Sequence, residues 1–159
     1  FGMDVLVWGR AGSQARAQVD GYRVAANQTA LFTQADVLSL HIKLNADTLG
    51  IVPSADLACM KPSALLVNTS RAGLIAPGVL AAALRAGRPG CAAVDVYEDE
   101  PVLAAAHPLL ALDNALCTPH LGYVEKDGYE DYFGQAFDQV VAFGAGRPVG
   151  VVNGEGLGS

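Results

Sequence analysis

The sequence predicts an α/β fold built on a parallel sheet. Short apolar runs with the length of buried strands alternate with segments of helical spacing, which is the pattern of such folds. Polar residues follow directly after three of these runs, Ala64–Val67, Cys91–Val94 and Ala115–Cys117. Because ligands bind beyond the carboxyl ends of parallel strands, the residues after these runs are the first candidates for chemistry.

The first third of the chain predicts two strands and two helices. Asp4–Trp8 is a β-rich run, and the polar segment Ser13–Asp20 after it has helical character. A helix is expected over Gln28–Ala35, because its apolar side chains share one face. It leads into a second apolar run, Val37–His41, which we interpret as a strand.

The rest of the chain repeats this alternation. Ser54 can cap a short helix, and Pro77 suits the first turn of a helix that Gly87 terminates at the C′ position. A mostly one-sided apolar stripe favours a long final helix. In chain order, the expected elements are a helix over Ala55–Met60, a strand over Ala64–Asn68, a helix from Pro77 to Ala86, strands over Cys91–Val96 and Ala115–Thr118, and a helix over Glu125–Phe143.

Composition limits the classes of protein to consider. A chain of 159 residues, with 52% hydrophobic and 16% charged residues, can bury one core and suits a single domain. The net charge of −6 and the ten dispersed basic residues disfavour nucleic acid and anionic membranes as partners. No apolar stretch approaches the ~20 residues that a membrane span requires.

The cysteines and histidines do not predict a metal site. Cys59, Cys91 and Cys117 are odd in number and unclustered, which disfavours a disulfide framework or a zinc site and fits a reducing cytoplasm. His41 and His107 lack partner ligands at i+3 or i+4, so both are expected to be structural.

Six short motifs follow one another along the chain. Together they resemble the nucleotide-binding domain of the D-isomer-specific 2-hydroxyacid dehydrogenases, the family of D-phosphoglycerate dehydrogenase and the glyoxylate/hydroxypyruvate reductases. The likeness extends from the first residue to about Asn153 and leaves Gly154–Ser159 as a flexible tail. The motifs are Leu40-His41, Met60-Lys61-Pro62, Val67-Asn68-Thr69-Ser70-Arg71, Ala93-Val94-Asp95-Val96, Glu100-Pro101 and Thr118-Pro119-His120-Leu121-Gly122.

This resemblance implies a Rossmann-like, doubly wound parallel sheet that is incomplete in this chain. The family's first strand and its G-x-G-x-x-G loop do not occur here. Without that central strand, we expect Asp4–Trp8 and Val37–His41 to be separated as a pair from the other strands, and the isolated fragment to fold poorly. The family's substrate-binding domain is also missing, so we expect a longer enzyme whose intact mass exceeds that of these 159 residues.

The resemblance also implies hydride transfer between NAD(P)H and a small 2-oxo acid or D-2-hydroxy acid. His120 would move the proton, since imidazole titrates near neutrality, and Glu100 would hold its other nitrogen. Arg71 would bind the substrate carboxylate with its planar fork of donors. The alternatives are a loop histidine that caps nearby backbone and an exposed strand-end arginine. Glu98 and Asp99 fit a solvated acidic loop.

Several residues match family positions that contact the cofactor. Asp95 would accept a hydrogen bond from the nicotinamide carboxamide, although an aspartate there could instead cap a turn. Asn68 would secure its own loop. The matching positions that contact the cofactor mostly through backbone or packing are Ile42, Thr69, Ser70 and Gly122. Arg71 and His120 are also expected to contact the cofactor.

The segment Trp8-Gly9-Arg10 bears on the choice of cofactor. NAD-preferring domains place an acidic side chain here to bind the ribose hydroxyls, and this chain has none. Gly9 leaves room and Arg10 could pair with a 2′-phosphate, with Arg16 or Arg23 as helpers, which favours NADP over NAD. The alternative is an exposed Arg10 in an ordinary turn.

The sequence therefore predicts a cytoplasmic, homodimeric NAD(P)-dependent oxidoreductase represented by part of its cofactor-binding domain. Reduction of glyoxylate or hydroxypyruvate is favoured over phosphoglycerate oxidation, because Trp8-Gly9-Arg10 suggests NADPH. The alternative is a non-catalytic NAD(H)-sensing interaction module of the same fold.

Overall fold

The structure, a computed structural model, describes residues 2–154. It contains two compact units, of which the first ends at Leu121 and the second begins at Gly122. Apart from Gly154, the predicted flexible tail lies outside the described residues.

Strands and helices alternate along the first unit, as expected, and the last helix lies in the second unit. The strands are β1 (Leu6–Val7), β2 (Arg23–Val24), β3 (Val37–Ser39), β4 (Leu65–Asn68), β5 (Cys91–Val94) and β6 (Ala115–Cys117). The helices are α1 (Ala11–Val19), α2 (Gln28–Gln34), α3 (Ser54–Cys59), α4 (Val79–Arg85) and α5 (Lys126–Gly144), and short 3₁₀ turns cover Ala72–Leu74 and Pro108–Ala111.

All the strand pairings in the named sheets are parallel. β1 pairs with β2 in a two-stranded sheet, and the other strands form a four-stranded sheet in the order β3-β4-β5-β6. In the larger sheet Val37 lies opposite Leu65, and Leu66 lies opposite Ala92. The predicted α/β fold with a parallel sheet is confirmed.

The predicted grouping of the first strands was wrong. Asp4–Trp8 does lie in a separate sheet, but its partner is β2, a strand that the sequence analysis did not predict. Val37–His41 is not separated, because β3 bonds directly to β4. β2 escaped notice because Arg23-Val24 is too short to show an alternating pattern.

The hydrophobic core packs the larger sheet against α2, α3 and α4. Leu57, Met60 and Leu66 are completely buried within it. A buried carboxylate, Asp56 on α3, accepts hydrogen bonds from Gln28 Nε2 at 2.7 Å on α2 and from a neighbouring threonine of that helix. These hydrogen bonds hold α2 and α3 next to each other.

Two helix starts differ from the predictions, whereas one helix end is confirmed. Pro53, with its extended backbone, is the N-cap of α3, so Ser54 is the first helical residue and its side chain makes no capping hydrogen bond. Pro77 precedes α4 rather than opening it, because Gly78 adopts a left-handed backbone with φ of 76°. Gly87, with φ of 77°, follows the C-cap residue of α4 as predicted.

The long final helix is confirmed to within one residue at each end. Its apolar stripe is exposed along most of its length. Among the residues that the structure describes, no helix is both long enough and apolar enough to cross a membrane. The stripe residues are Tyr132, Phe133, Phe137, Val140 and Val141.

Candidate active site

Three strands deliver polar side chains to one edge of the larger sheet. Asp95 directly follows β5, while Arg71 and His120 each lie three residues beyond the ends of β4 and β6. Because these strands are parallel neighbours, their carboxyl ends meet at the same edge. Residues that are far apart in the sequence are therefore brought to the same edge of the sheet.

A carboxylate and an imidazole form a close pair at this edge. Glu100 Oε2 lies 2.6 Å from His120 Nδ1, and about a third of each side chain remains exposed. The other carboxylate oxygen of Glu100 accepts a hydrogen bond from the Tyr97 backbone N–H at 2.8 Å. The hydrogen bond to His120, followed by that from Tyr97, lowers the pKa of Glu100. The pair is therefore built to keep Glu100 ionised beside the imidazole.

Asp95 supports the loop that carries the imidazole. Its side chain is buried, with 3% of the residue exposed. Oδ1 accepts hydrogen bonds from Thr118 Oγ1 at 2.5 Å and from Leu121 N at 2.9 Å. This arrangement matches the alternative of an aspartate that caps a turn, and a contact with nicotinamide stays a prediction.

The loop after β4 holds Arg71 in an exposed position. Asn68 Nδ2 donates to the Arg71 carbonyl at 3.0 Å and Asn68 Oδ1 accepts from Ser70 N at 3.1 Å, so Asn68 secures the loop as predicted. Ser70 Oγ lies 3.4 Å from the Ile42 carbonyl. Thr69 is exposed beside them. The guanidinium of Arg71 donates to the Ser70 carbonyl at 2.6 Å.

The residues predicted to select the cofactor lie elsewhere. Gly9 and Arg10 follow β1 in the smaller sheet, and the exposed Arg10 is the N-cap residue of α1, so α1 begins two residues earlier than predicted. Arg23 is paired with Asp4 at 2.6 Å, and both arginines are exposed. Gly122, another predicted cofactor residue, begins the second unit.

A second carboxylate–imidazole pair was missed by sequence reasoning. Glu98 Oε2 lies 2.8 Å from His107 Nε2, while Glu98 and Asp99 both remain exposed, so the expected solvated acidic loop also contains this unexpected pair. The His107 ring packs edge-on against Tyr97 with centroids 5.0 Å apart. An irregular loop joins residues 98 and 107, and such a loop has no sequence periodicity from which their contact could be predicted. Among the described residues, no cluster of His, Cys, Asp or Glu side chains suits a metal ion.

One cavity lies beside this edge and not at the imidazole. It has a volume of about 530 Å³ and a mostly apolar wall that includes Leu80, Val94 and Pro108. Its described lining contains neither Glu100 nor His120. The polar groups at the sheet edge therefore define the candidate site better than the cavity does.

A parallel α/β sheet with polar residues gathered at its carboxyl edge is the architecture of the dinucleotide-binding domains of oxidoreductases. Comparison with known families is more specific. A model of the D-isomer specific 2-hydroxyacid dehydrogenase NAD-binding domain matches residues 1–122. The chain belongs to the D-isomer specific 2-hydroxyacid dehydrogenase family, and the matched region is its nicotinamide dinucleotide-binding domain.

Individual relatives agree with this family. A glycerate dehydrogenase from Methylorubrum extorquens is 38% identical over 127 residues, which are 77% of this chain and 39% of that protein. The crystal structure of a candidate D-3-phosphoglycerate dehydrogenase from Ralstonia solanacearum is 51% identical with a TM-score of 0.91, and covers 99% of this chain and 46% of that one. An acyclic imino acid reductase in complex with NADPH and D-Arg is 28% identical with a TM-score of 0.70, and covers 94% of this chain and 46% of that one. The chain thus spans less than half the length of these relatives.

Proposed function

We propose that the protein containing this chain reduces a small 2-oxo acid to its D-2-hydroxy acid, and runs the reverse oxidation. The observation that carries this proposal is the 2.6 Å contact between Glu100 and His120 at the carboxyl edge of the sheet. A bound nicotinamide dinucleotide supplies or accepts the hydride. The chain's own task is to move the proton and to hold the acid.

His120 is the proposed proton donor and acceptor. Glu100 holds Nδ1, so Nε2 is the nitrogen that exchanges a proton with the 2-oxygen of the substrate. During reduction the imidazole donates this proton to the substrate oxygen, while the adjacent carboxylate holds the ring in place. In the oxidation direction the same nitrogen accepts the hydroxyl proton.

Arg71 is the proposed substrate-binding residue. Its guanidinium is exposed at the end of the loop after β4, and the backbone beneath it is fixed by Asn68. A planar guanidinium can bind a carboxylate through two parallel hydrogen bonds, which also orients the neighbouring carbonyl. The substrate is accordingly a compound with a carboxylate next to the reacting carbon.

NADP is proposed as the preferred cofactor. The residues present suit an additional phosphate, because Gly9 has no side chain and Arg10 is an exposed cation three residues after the end of β1. No carboxylate occurs in Trp8-Gly9-Arg10 to bind the ribose hydroxyls or repel a 2′-phosphate. The related imino acid reductase in complex with NADPH is consistent with this choice.

Glyoxylate or hydroxypyruvate is the proposed substrate, in preference to a phosphorylated acid. The supporting argument is the proposed use of NADPH, a reducing cofactor, together with the glycerate dehydrogenase relative, whose named substrate gives hydroxypyruvate on oxidation at C2. The Ralstonia solanacearum relative carries the name of a phosphoglycerate enzyme. Both kinds of acid therefore belong in the assay.

We also propose a homodimer located in the cytoplasm. The free thiols of Cys59, Cys91 and Cys117 suit a reducing compartment. Light scattering from the complete protein tests the dimer through its mass, and fractionation of the source cells tests the location.

The test of function is oxidation of NADPH and NADH by the complete protein with glyoxylate, hydroxypyruvate and 3-phosphohydroxypyruvate. Turnover is expected with NADPH, and His120→Ala should lower kcat by roughly 100-fold or more because the proton donor is removed. Dinucleotide affinity of the variant, measured by fluorescence, is the control for intact folding. Nucleotide binding without turnover of any 2-oxo acid would contradict the proposal and indicate the NAD(H)-sensing module instead.

A further inference from the structure

One aromatic residue contacts both halves of the imidazole–carboxylate pair. The Tyr97 hydroxyl donates to the Thr118 carbonyl at 2.9 Å, and Thr118 stands two residues before His120. The Tyr97 backbone N–H donates to Glu100 Oε1 at 2.8 Å, on the carboxylate whose other oxygen binds His120. Tyr97 is therefore connected to the imidazole of His120 in two ways, through the backbone at Thr118 and through the carboxylate of Glu100.

We propose that Tyr97 is a positioning residue for His120. Its hydroxyl fixes the backbone that leads to the imidazole, and its N–H fixes the carboxylate that holds the imidazole. This role rests on one part of the proposed function, which is that His120 moves the proton. The contact with Thr118 requires a hydroxyl, so the role belongs to the tyrosine side chain and not to an aromatic ring in general.

The backbone of His120 explains why such positioning is needed. Its φ of 55° lies in the left-handed region, which residues with a Cβ seldom adopt. A conformation of this kind persists only where neighbouring contacts determine it. Asp95 supplies two such contacts, to the Thr118 hydroxyl and to Leu121 N, and Tyr97 supplies a third, to the Thr118 carbonyl. The contacts fall on both sides of His120 in the sequence.

The surroundings of Tyr97 keep its hydroxyl a donor and its ring in place. Only 9% of the residue is exposed. Burial, together with a hydrogen bond to Cys117, raises the pKa of the Tyr97 phenol, so the hydroxyl retains its proton throughout the neutral range. On another side, the ring contacts His107, which is itself held by Glu98. The pair of Glu98 and His107 therefore supports the Tyr97 ring.

The decisive variant is Tyr97→Phe in the complete protein, which removes the hydroxyl and keeps both the ring and the backbone N–H. Tyr22→Phe is the matched control, because Tyr22 is 50% exposed. Since displacement of a catalytic group by about 1 Å can cost roughly 100-fold, a partly loosened loop should lower kcat by about 10-fold. KM for the 2-oxo acid and affinity for the dinucleotide should stay within about twofold, because neither contact made by the hydroxyl reaches Arg71.

A second measurement separates this proposal from the proposed function. With histidine labelled selectively with ¹⁵N, the ring N–H signal of His120 is assigned by its absence from the spectrum of His120→Ala. We expect its signal to shift or broaden in Tyr97→Phe and to keep its native position in Tyr22→Phe. An unchanged signal in Tyr97→Phe overturns the positioning role, whatever the turnover. Absence of turnover in the unaltered protein overturns the proposed function and leaves this readout valid.

Discussion

Glu100 and His120 are joined by a 2.6 Å hydrogen bond between residues that are 20 positions apart in the sequence. The two side chains come from loops that follow neighbouring parallel strands, so the sheet is the reason they meet. The bond has a consequence for stability as well as for chemistry, because it lowers the pKa of Glu100 in the folded protein.

The first prediction concerns acid stability. Because the pKa of Glu100 is lower in the folded than in the unfolded chain, the ionised carboxylate stabilises the fold above its unfolded pKa of about 4.3. That stabilisation is lost as the pH falls through the lower, folded value. Urea denaturation from pH 7 to pH 3 should show native and Glu100→Gln unfolding free energies that differ most near neutrality and converge in acid. A difference that stays constant with pH would contradict this account.

The second prediction concerns cofactor choice. An added Cβ at Gly9 would lie 3.5 Å from Ser13 Cβ, an ordinary contact, so Gly9→Asp should fold normally. A carboxylate there would bind ribose hydroxyls and repel a 2′-phosphate. In the complete protein, kcat/KM should fall by about 10-fold or more with NADPH and rise with NADH, since like charges brought together cost on the order of 1–2 kcal/mol.

Gly9→Ser is the matched control for that substitution. It introduces a side chain without a charge and should leave the ratio of NADPH to NADH efficiency near its native value. If Gly9→Asp and Gly9→Ser change this ratio equally, the electrostatic explanation is wrong and the effect is steric.

The sequence was sufficient to predict the strands whose polar tips form the site. Leu65–Asn68 and Cys91–Val94 are apolar runs between turn residues, and the sheet pairs them directly. In a parallel sheet, buried on both faces, such a run is a strong local signal. The same local signal fails for Arg23–Val24, whose pairing with β1 depends on a neighbouring strand rather than on its own pattern.

The contacts around His120 could be predicted only in part. The family motifs pointed to Glu100 as its partner, and the structure places the two in contact. The hydroxyl bond from Tyr97 and the pairing of Glu98 with His107 depend on how an irregular loop folds back. Loop geometry of this kind is determined by tertiary contacts and leaves no periodic trace in the sequence.

The third prediction tests the core beneath the site. Leu66 in β4 is fully buried, whereas Leu116 in β6 is 66% exposed. Leu66→Ala should lower the free energy of unfolding by about 3 kcal/mol, because it removes buried methyl groups and leaves a cavity. Leu116→Ala, the same chemical change at an exposed position, should cost well under about 1 kcal/mol. Equal losses in urea denaturation would show that burial does not govern stability in this sheet.

The final prediction concerns the close approach of two backbone segments just before β5. A Cβ added at Gly90 would lie 1.9 Å from the Pro62 carbonyl oxygen, and backbone atoms cannot swing aside as a flexible side chain can. Replacing glycine by alanine usually stabilises a protein by about 0.4–1 kcal/mol where the backbone allows it. Here overpacking should reverse the sign, so Gly90→Ala should destabilise the fold by about 3 kcal/mol.

Gly12 in α1 provides the control, since an added Cβ there meets nothing within 4 Å. Gly12→Ala should be neutral or stabilising by up to about 1 kcal/mol, in keeping with helix propensity. The two alanine variants are therefore expected to move the midpoint of urea denaturation in opposite directions. A Gly90→Ala protein as stable as the native one would mean that the segments at Pro62 and Gly90 can move apart at little cost, and that β5 does not depend on their contact for its position beside β4.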